Sequence, residues 1–345
     1  MSNPGSIRYP SLDYLRGWMA LAVLIFHYDK WLNNAWDASS LQGRLGVYAV
    51  STFFVLSGLT LTLVYATRLE PTFRSWGSFY KKRFFRIYPL LWVSTFATLA
   101  IDDKARSAAD ILLNFTGLFG FVNPARDIAT GAWSIGCELV FYAAFPTLLW
   151  WSKWNRAGFL AIGIALFGVG IWTDFTWFSP SRTEQSAWWE AYVQVANHGF
   201  FFVGGMFMGI FQHHLSRLPR RFWIVLLGLS SLAFVCWPLG SEPFQLVYGW
   251  NRLLFSSLSL LIVLAYFNSA FELKGMLQSS FTWLGGVSYS LYLLHPLVFR
   301  IVKSLESKII PDPNYWAVFI PALLATLIAS HLSYRYFELP ILRRA

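Results

Sequence analysis

"LDYLRGWMALAVLIFHYDK", residues 12–30, is apolar enough to enter a lipid bilayer, yet it carries Arg16 near one end and His27 near the other. Ionisable groups are costly in lipid and usually face a bundle interior or a water-filled cavity. At 100° per residue, positions 16 and 27 are close to three whole turns apart, so both side chains belong to one face of a helix, about 16 Å apart along its axis. A polar stripe on an otherwise apolar helix predicts that the stripe turns inward, towards one continuous cavity in a bundle of similar helices. Each residue also has a plainer reading, Arg16 as a snorkelling interfacial anchor and His27 as a hydrogen-bonded interfacial histidine.

The rest of the chain supports the bundle. Of 345 residues, 56% are hydrophobic, 19% aromatic and only 13% charged, against roughly 25% charged in an ordinary soluble domain. Mean hydropathy is +0.47. Apolar runs near 12–30, 44–66, 87–101, 131–151, 157–173, 191–211, 222–238, 248–268, 283–303 and 315–335 approach the ~20 residues a membrane span needs. The piece 110–122, "DILLNFTGLFGFV", is shorter and interrupted by Gly117 and Gly120, which predicts a re-entrant or interfacial helix. The expected fold is an all-α integral membrane protein of about ten transmembrane helices plus one such short helix, in a single domain over 1–345. The first apolar run lacks a small-residue cleavage site after it and reads as a retained span.

Charge sets the expected orientation. With ten spans and both termini inside, the inside segments hold sixteen Lys and Arg, from Arg8 to Arg344, and the outside segments hold eight, among them Lys30, Arg44, Arg182 and Lys303. Crossing by 110–122 would switch the later basic loops and erase most of that bias. The net charge of +10 therefore reflects membrane topology rather than nucleic-acid binding. Cys137 and Cys236 both fall in apolar runs, which argues against a disulfide framework or a metal site. External loops carry acids such as Asp37, Asp102, Asp127 and Asp174 among Trp, Ser and Asn. Most aromatics at span ends read as an interfacial belt; stacking on sugar faces is the functional alternative.

Two further stretches can carry chemistry. "FYKKRFFRIYP", 79–89, packs Lys81, Lys82, Arg83 and Arg86 among aromatics on the expected cytoplasmic side. Such a cluster serves topology or lipid headgroups, and it is also what a polyanionic cofactor needs, since guanidinium groups bind phosphate bidentately. "GAWSIGCELVFYAAFP", 131–146, puts Glu138 inside a span, where a carboxylate needs a partner or a proton. Counted from the span ends, Glu138 and His27 are expected at comparable depth, so that Glu138 would orient the His27 imidazole as in triad logic. Trp133 and Tyr142 lie about one turn away and are expected to line the same cavity. Arg252 is expected either to bind an anion or to neutralise Glu138. His295, in "YSLYLLHP", and Glu338 read as structural.

These motifs, "LDYLRGWMALAVLIFHY", "GVYAVSTFFVLSGLTL", "KKRFFRIYP", "AWSIGCELVFYAAFP", "YSLYLLHP" and "YRYFELPILRR", occur in this order along nearly the whole chain. Together the set resembles acyltransferase family 3, the membrane-bound carbohydrate O-acyltransferases. Arg16 and His27 match the family's arginine and histidine eleven residues apart; Arg83 and Arg86 match its Arg-x-x-Arg; Trp133, Ser134 and Glu138 match its Trp-Ser-x-x-x-Glu. Tyr14 departs from the more usual Gly, and "STFFVLSGLTL" from a more aliphatic ending. Some members carry an added extracytoplasmic domain, and this chain is expected to be a stand-alone membrane domain. The resemblance implies acetyl-CoA or another acyl-CoA as co-substrate and no metal. It implies a hydroxyl of a surface or secreted glycan, or of its lipid-linked precursor, as acceptor, and a bacterial inner membrane as location, with membrane lipid and no nucleic acid as partners. It implies Arg16, Lys81, Lys82, Arg83 and Arg86 at the cofactor, His27 as general base or transient acyl acceptor with Glu138 beside it, and Trp133, Tyr142 and Arg252 at the substrate. The competing expectations are a proton-coupled or acyl- or glycan-intermediate transporter, since in-span Arg, His and Glu suit a proton relay, and a non-catalytic scaffold. No repeated half or matched pair of broken helices supports the transporter.

Overall fold

The computed structural model of the chain describes residues 9–34, 36–178, 185–311 and 314–344. Arg8 and Arg182, which entered the charge count, lie outside the described residues. The described residues form helices joined by short turns: α1 (Pro10–Asn33), α2 (Leu41–Tyr65), α3 (Phe73–Ile101), α4 (Ala108–Thr116), α5 (Ala132–Trp154), α6 (Arg156–Thr176), α7 (Gln185–Tyr192), α8 (Gly199–Ile210), α9 (Arg220–Cys236), α10 (Gly249–Asn268), α11 (Gly275–Ile309) and α12 (Tyr315–Arg344), the last containing a π-type turn at Ser333–Glu338. Among the described residues, six of these helices, α2, α3, α5, α6, α10 and α12, are long and apolar enough to cross a membrane. Phe96, Ile164, Leu324 and Ile328 on these helices, and Leu229 and Leu232 on α9, stand exposed. Apolar exposure this extensive fits a lipid-facing belt.

Helix ends follow local chemistry. Pro10 takes the first turn of α1, where its missing N–H is no loss. Ser40 and Thr72 accept from the backbone N–H of Gly43 and Ser75, closing the open ends of α2 and α3. The short apolar piece at 110–122 ends its α4 portion on Gly117, whose φ of 75° suits a residue without Cβ, so it stays short, as expected. Arg44, counted in an outside loop, instead lies buried in α2. It donates to the carbonyls of Phe234, Val235 and Trp237 at 2.6–2.7 Å, satisfying the last turn of α9.

The run at 191–211 differs most from expectation. It is a turn of α7, a 3₁₀ turn at Val195–Asn197 and the 12-residue α8. Its glycines explain the packing: a Cβ on Gly205 would stand 2.0 Å from the Val55 carbonyl oxygen, and one on Gly58 2.0 Å from that of Phe202. The Gly205/Gly209 pair lets α8 lie backbone to backbone on α2, as small-xxx-small patterns do in membranes.

α1, α11 and α12 form the other close layer. Asp13 of α1 lies against Gly285 of α11, and Tyr28 donates to the carbonyl of His295 at 3.1 Å. The two helices therefore run parallel. α12 runs back beside them, with Tyr315 bonded to Asp29 at one end and Tyr334 beside Gly286 at the other.

Candidate active site

Between α1, α2, α3, α5, α11 and α12 lies a cavity of about 610 Å³. Four arginines line it: Arg16, Arg83, Arg86 and Arg343. Tyr9 and Arg343, near the two ends of the described chain, both line it. At its guanidinium end Arg86 pairs with buried Glu338 at 2.9 Å, Arg16 donates to Thr60 at 2.8 Å and lies 3.6 Å from Asp13, and the Arg83 Nε has no hydrogen-bond partner among the described residues. Arg83 is held by stacking over Phe79 and Tyr142, 5.9 and 5.8 Å from the ring centres. Three carboxylates, Asp13, Glu138 and Glu338, against four guanidiniums leave the site with an excess of positive charge. A half-buried guanidinium whose Nε–H is unused can donate to an anion.

Deeper in the cavity Ser57 and Tyr142 both donate to the Glu138 carboxylate, and their own oxygens are 3.0 Å apart. Above them Tyr292 meets Ser134 at 2.7 Å and donates to the Gly131 carbonyl at 3.0 Å. Its ring stands edge-on to His295, 6.1 Å away.

His27 lies beyond this layer, bonded through Nδ1 to Nε2 of His295 at 2.9 Å. The proton positions follow from the partners. His295 Nδ1 faces the Leu291 carbonyl at 3.1 Å, and a carbonyl can only accept, so Nδ1 carries the hydrogen. In the neutral ring Nε2 is then an acceptor, and His27 Nδ1–H donates to it. That leaves the lone pair of His27 on Nε2, for which no hydrogen bond is seen among the described residues. Tyr28 fixes the His295 backbone, while Trp31 stacks on His27 with centroids 5.0 Å apart and planes 7° apart. His27 is thus an oriented neutral imidazole with its second nitrogen open, the form a general base or nucleophile needs.

On the far side of the histidine pair a second cavity of about 630 Å³ opens between α1 and α11, with Trp31 and Pro296 in its wall. The two cavities share no lining residue; His27, His295 and Tyr292 stand between them.

The sequence-singled residues divide accordingly. Arg16, Arg83, Arg86, Glu138 and Tyr142 converge on the first cavity. Lys81 and Lys82 are exposed and do not line it. Glu138 is not brought to His27. Ser134 is level with Tyr292, Glu138 is one turn deeper and His295 about one turn higher, which separates the carboxylate and the imidazole by roughly 10 Å along the axes. Trp133, 4% exposed, is packed against Trp189, Tyr192 and His198 outside the cavity. Arg252 is 1% exposed and lies 3.6 Å from buried Asp174, over the rings of Tyr48, Tyr192 and Phe201; its partner is Asp174, not Glu138, and it lines neither cavity. His295 was read as structural, although it meets the same test that singled out His27, an ionisable side chain in an apolar helix. Arg343 is not among the residues expected at the site, because nothing local separates it from the other basic residues counted on the inside.

Comparison with known proteins adds the lineage. The family model described as "Acyltransferase domain" matches residues 9–335. The chain is 25% identical over 371 residues to the peptidoglycan O-acetyltransferase OatA of Listeria monocytogenes, covering 96% of this chain and 55% of that protein. It is likewise 25% identical over 371 residues to the Bacillus subtilis protein named "Putative peptidoglycan O-acetyltransferase YrhL", covering 96% of this chain and 54% of that one. The chain thus spans about half the length of these relatives. No solved structure matches it.

Proposed function

The chain belongs to the acyltransferase domain family, and on that premise we propose that it moves an acyl group, acetyl in the first instance, from acyl-CoA to a hydroxyl of a surface or secreted glycan or its lipid-linked precursor. The observation that carries this reading is the position of His27, an imidazole with a free Nε2 beyond the inner end of a four-arginine cavity. The arginine end suits the phosphates of CoA: Arg83 and Arg86 as bidentate donors, Arg16 and Arg343 beside them, Lys81 and Lys82 steering from the adjacent surface. The topology with ten spans and both termini in the cytoplasm, in a bacterial inner membrane, would open this cavity to the cytoplasmic pool of acyl-CoA. Ser57, Tyr142 and Glu138 then flank the thioester arm.

In the direct form, the acceptor hydroxyl oxygen attacks the thioester carbonyl carbon while its proton passes to Nε2 of His27. The carbon–sulfur bond breaks, and the proton on His27 goes to the departing thiolate. In the two-step form, the Nε2 lone pair attacks the thioester carbonyl carbon and the carbon–sulfur bond breaks, releasing the thiolate; the acceptor hydroxyl oxygen then attacks the acyl carbon, the bond to Nε2 breaks, and the hydroxyl proton ends on the thiolate. His295 holds the His27 tautomer in both, as the oriented partner does in a triad. Glu138 contributes by fixing Tyr142 and Ser57.

Purified protein in nanodiscs with labelled acetyl-CoA and a glycan acceptor tests the reading. Acceptor-dependent CoA release that falls about 10²- to 10⁴-fold in His27→Ala is expected. Unchanged transfer by His27→Ala at equal protein level would refute it, and accumulation of acetyl-CoA in vesicles without turnover would favour the transporter.

A further inference from the structure

Within the four-arginine cavity the face of α2 changes character from one end to the other. Along residues 47–62 every residue is buried except Phe53 and Thr60. They are seven apart, so they stand on one face of the helix, about 10 Å apart along it, and both line the cavity. Thr60, bonded to Arg16, marks the guanidinium level. Ser57, bonded to Glu138, comes one turn further in, and Phe53 one turn beyond that, with Val50 behind it. Across from Phe53 stands Tyr292, its ring centre 6.2 Å away and its plane turned by 70°. Ser134 and the Gly131 carbonyl pin the Tyr292 hydroxyl, at 2.7 and 3.0 Å. Tyr292 precedes His295 by three residues, about 4.5 Å of helical rise, and His295 holds His27. The step from the ring pair to the histidine pair is therefore less than one helical turn. That depth suits a two-carbon acyl group, and every further methylene would press on one of the two rings.

We infer that Phe53, set against the pinned ring of Tyr292, fixes the length of the acyl group, admitting acetyl and turning butyryl away. Shape does the selecting. Packed interiors yield little, so a chain too long for its space forces side chains from their rotamers. Phe53 is the adjustable half of the pair, half-buried and held by packing alone, whereas the Tyr292 hydroxyl is tied at two points. The inference rests on His27 as the transfer centre, and it adds a size limit on the donor.

Binding, read apart from turnover, tests it. Two thioethers that cannot transfer their chains, S-ethyl-CoA and S-butyl-CoA, would be titrated calorimetrically into the protein in nanodiscs, with empty nanodiscs subtracted. One methylene in a shaped apolar pocket discriminates by about tenfold or more, so wild type should bind the ethyl compound at least tenfold more tightly than the butyl. Phe53→Leu and Phe53→Ala should narrow that ratio to about threefold or less, and Phe53→Trp should widen it. The ratio is taken within one preparation, so an incompletely folded variant still reports it. Equal affinity for the two thioethers in wild type, the wild-type ratio in both Phe53→Leu and Phe53→Ala, or binding of neither thioether would overturn the inference. Acetyl transfer to a glycan acceptor is read separately on the same preparations. Size-selective binding by a protein that transfers nothing would leave the acyl pocket standing and sink the transfer reading alone; acetyl transfer without size selection would do the reverse.

Discussion

His27 and His295, 268 residues apart in the chain, share a 2.9 Å hydrogen bond between two parallel helices. The Leu291 carbonyl decides its direction, and with it which nitrogen of His27 is open.

Replacing His295 by Ala removes the acceptor that holds His27 Nδ1–H. The ring is then free to flip or change tautomer. Partners that orient a functional histidine typically contribute about 10- to 100-fold, so kcat should fall by that order while KM for acetyl-CoA stays within twofold. His295→Gln keeps a side-chain oxygen as acceptor and should recover part of kcat. Steady-state kinetics on the three proteins would show it, and equal kcat in wild type and His295→Ala would remove His295 from the mechanism.

Arg83 and Arg86 should separate in their effects. Arg83 has an unpartnered Nε and its loss strands no acid, so Arg83→Ala should raise KM for acetyl-CoA about tenfold or more with little change in thermal stability. Arg86 neutralises buried Glu338. Arg86→Ala should cost about 3 kcal/mol by taking the guanidinium from a buried carboxylate that then relies on the Ser290 hydroxyl, and Arg86→Ala/Glu338→Gln should regain most of it. Thermal unfolding in detergent for the double-mutant cycle measures the coupling; a double variant as weak as the single would show that the pair is not what holds α3 to α12.

Asp127 gives a pH dependence. It lies in the turn before α5, where it accepts the Trp133 N–H at 3.0 Å. Burial pushes its carboxyl up to about 7, against the opposing pull of that N–H and of Arg106. An acid whose pKa is raised on folding binds more protons folded than unfolded between its ordinary value and the raised one. Stability from this group is therefore greatest near pH 4 and declines as pH rises to about 7. Asp127→Asn should flatten that part of the curve of melting temperature against pH, whereas an identical slope in the variant would exclude Asp127 as its source.

Gly205→Ala should be among the more damaging single-methyl additions in the protein, because the new carbon meets the Val55 carbonyl of α2 with no flexible atom to give way. A loss of about 1–3 kcal/mol is expected, against almost none for Gly228→Ala, where nothing lies within 4 Å. Melting temperatures of the two variants, compared with wild type, decide this.

Much of the bundle was legible because membrane spans are written in runs and stripes. The Arg16/His27 stripe, the Arg83/Arg86 pair and the Glu138/Tyr142 turn each fix a face within one helix, and local periodicity is enough for that. What sequence does not carry is relative depth. Glu138 looks level with His27 when counted from span ends, but α5 begins inside a capped turn and sets its carboxylate two turns below the imidazole. Pairings across helices were equally opaque: nothing local joins Arg252 to Asp174 or His27 to His295. The break at residues 193–198 escaped notice because an apolar run with glycines looks continuous until the partner that needs those glycines, α2, is in place.

The two cavities share no lining residue, and the His27–His295 hydrogen bond lies between their linings. A membrane that stores a proton gradient tolerates no open pore, and an enzyme working on opposite pools of donor and acceptor risks being one. On the transfer reading proposed above, only an acyl group of a few atoms would have to pass the layer of His27, His295 and Tyr292, so that layer could keep ions out while transfer proceeds.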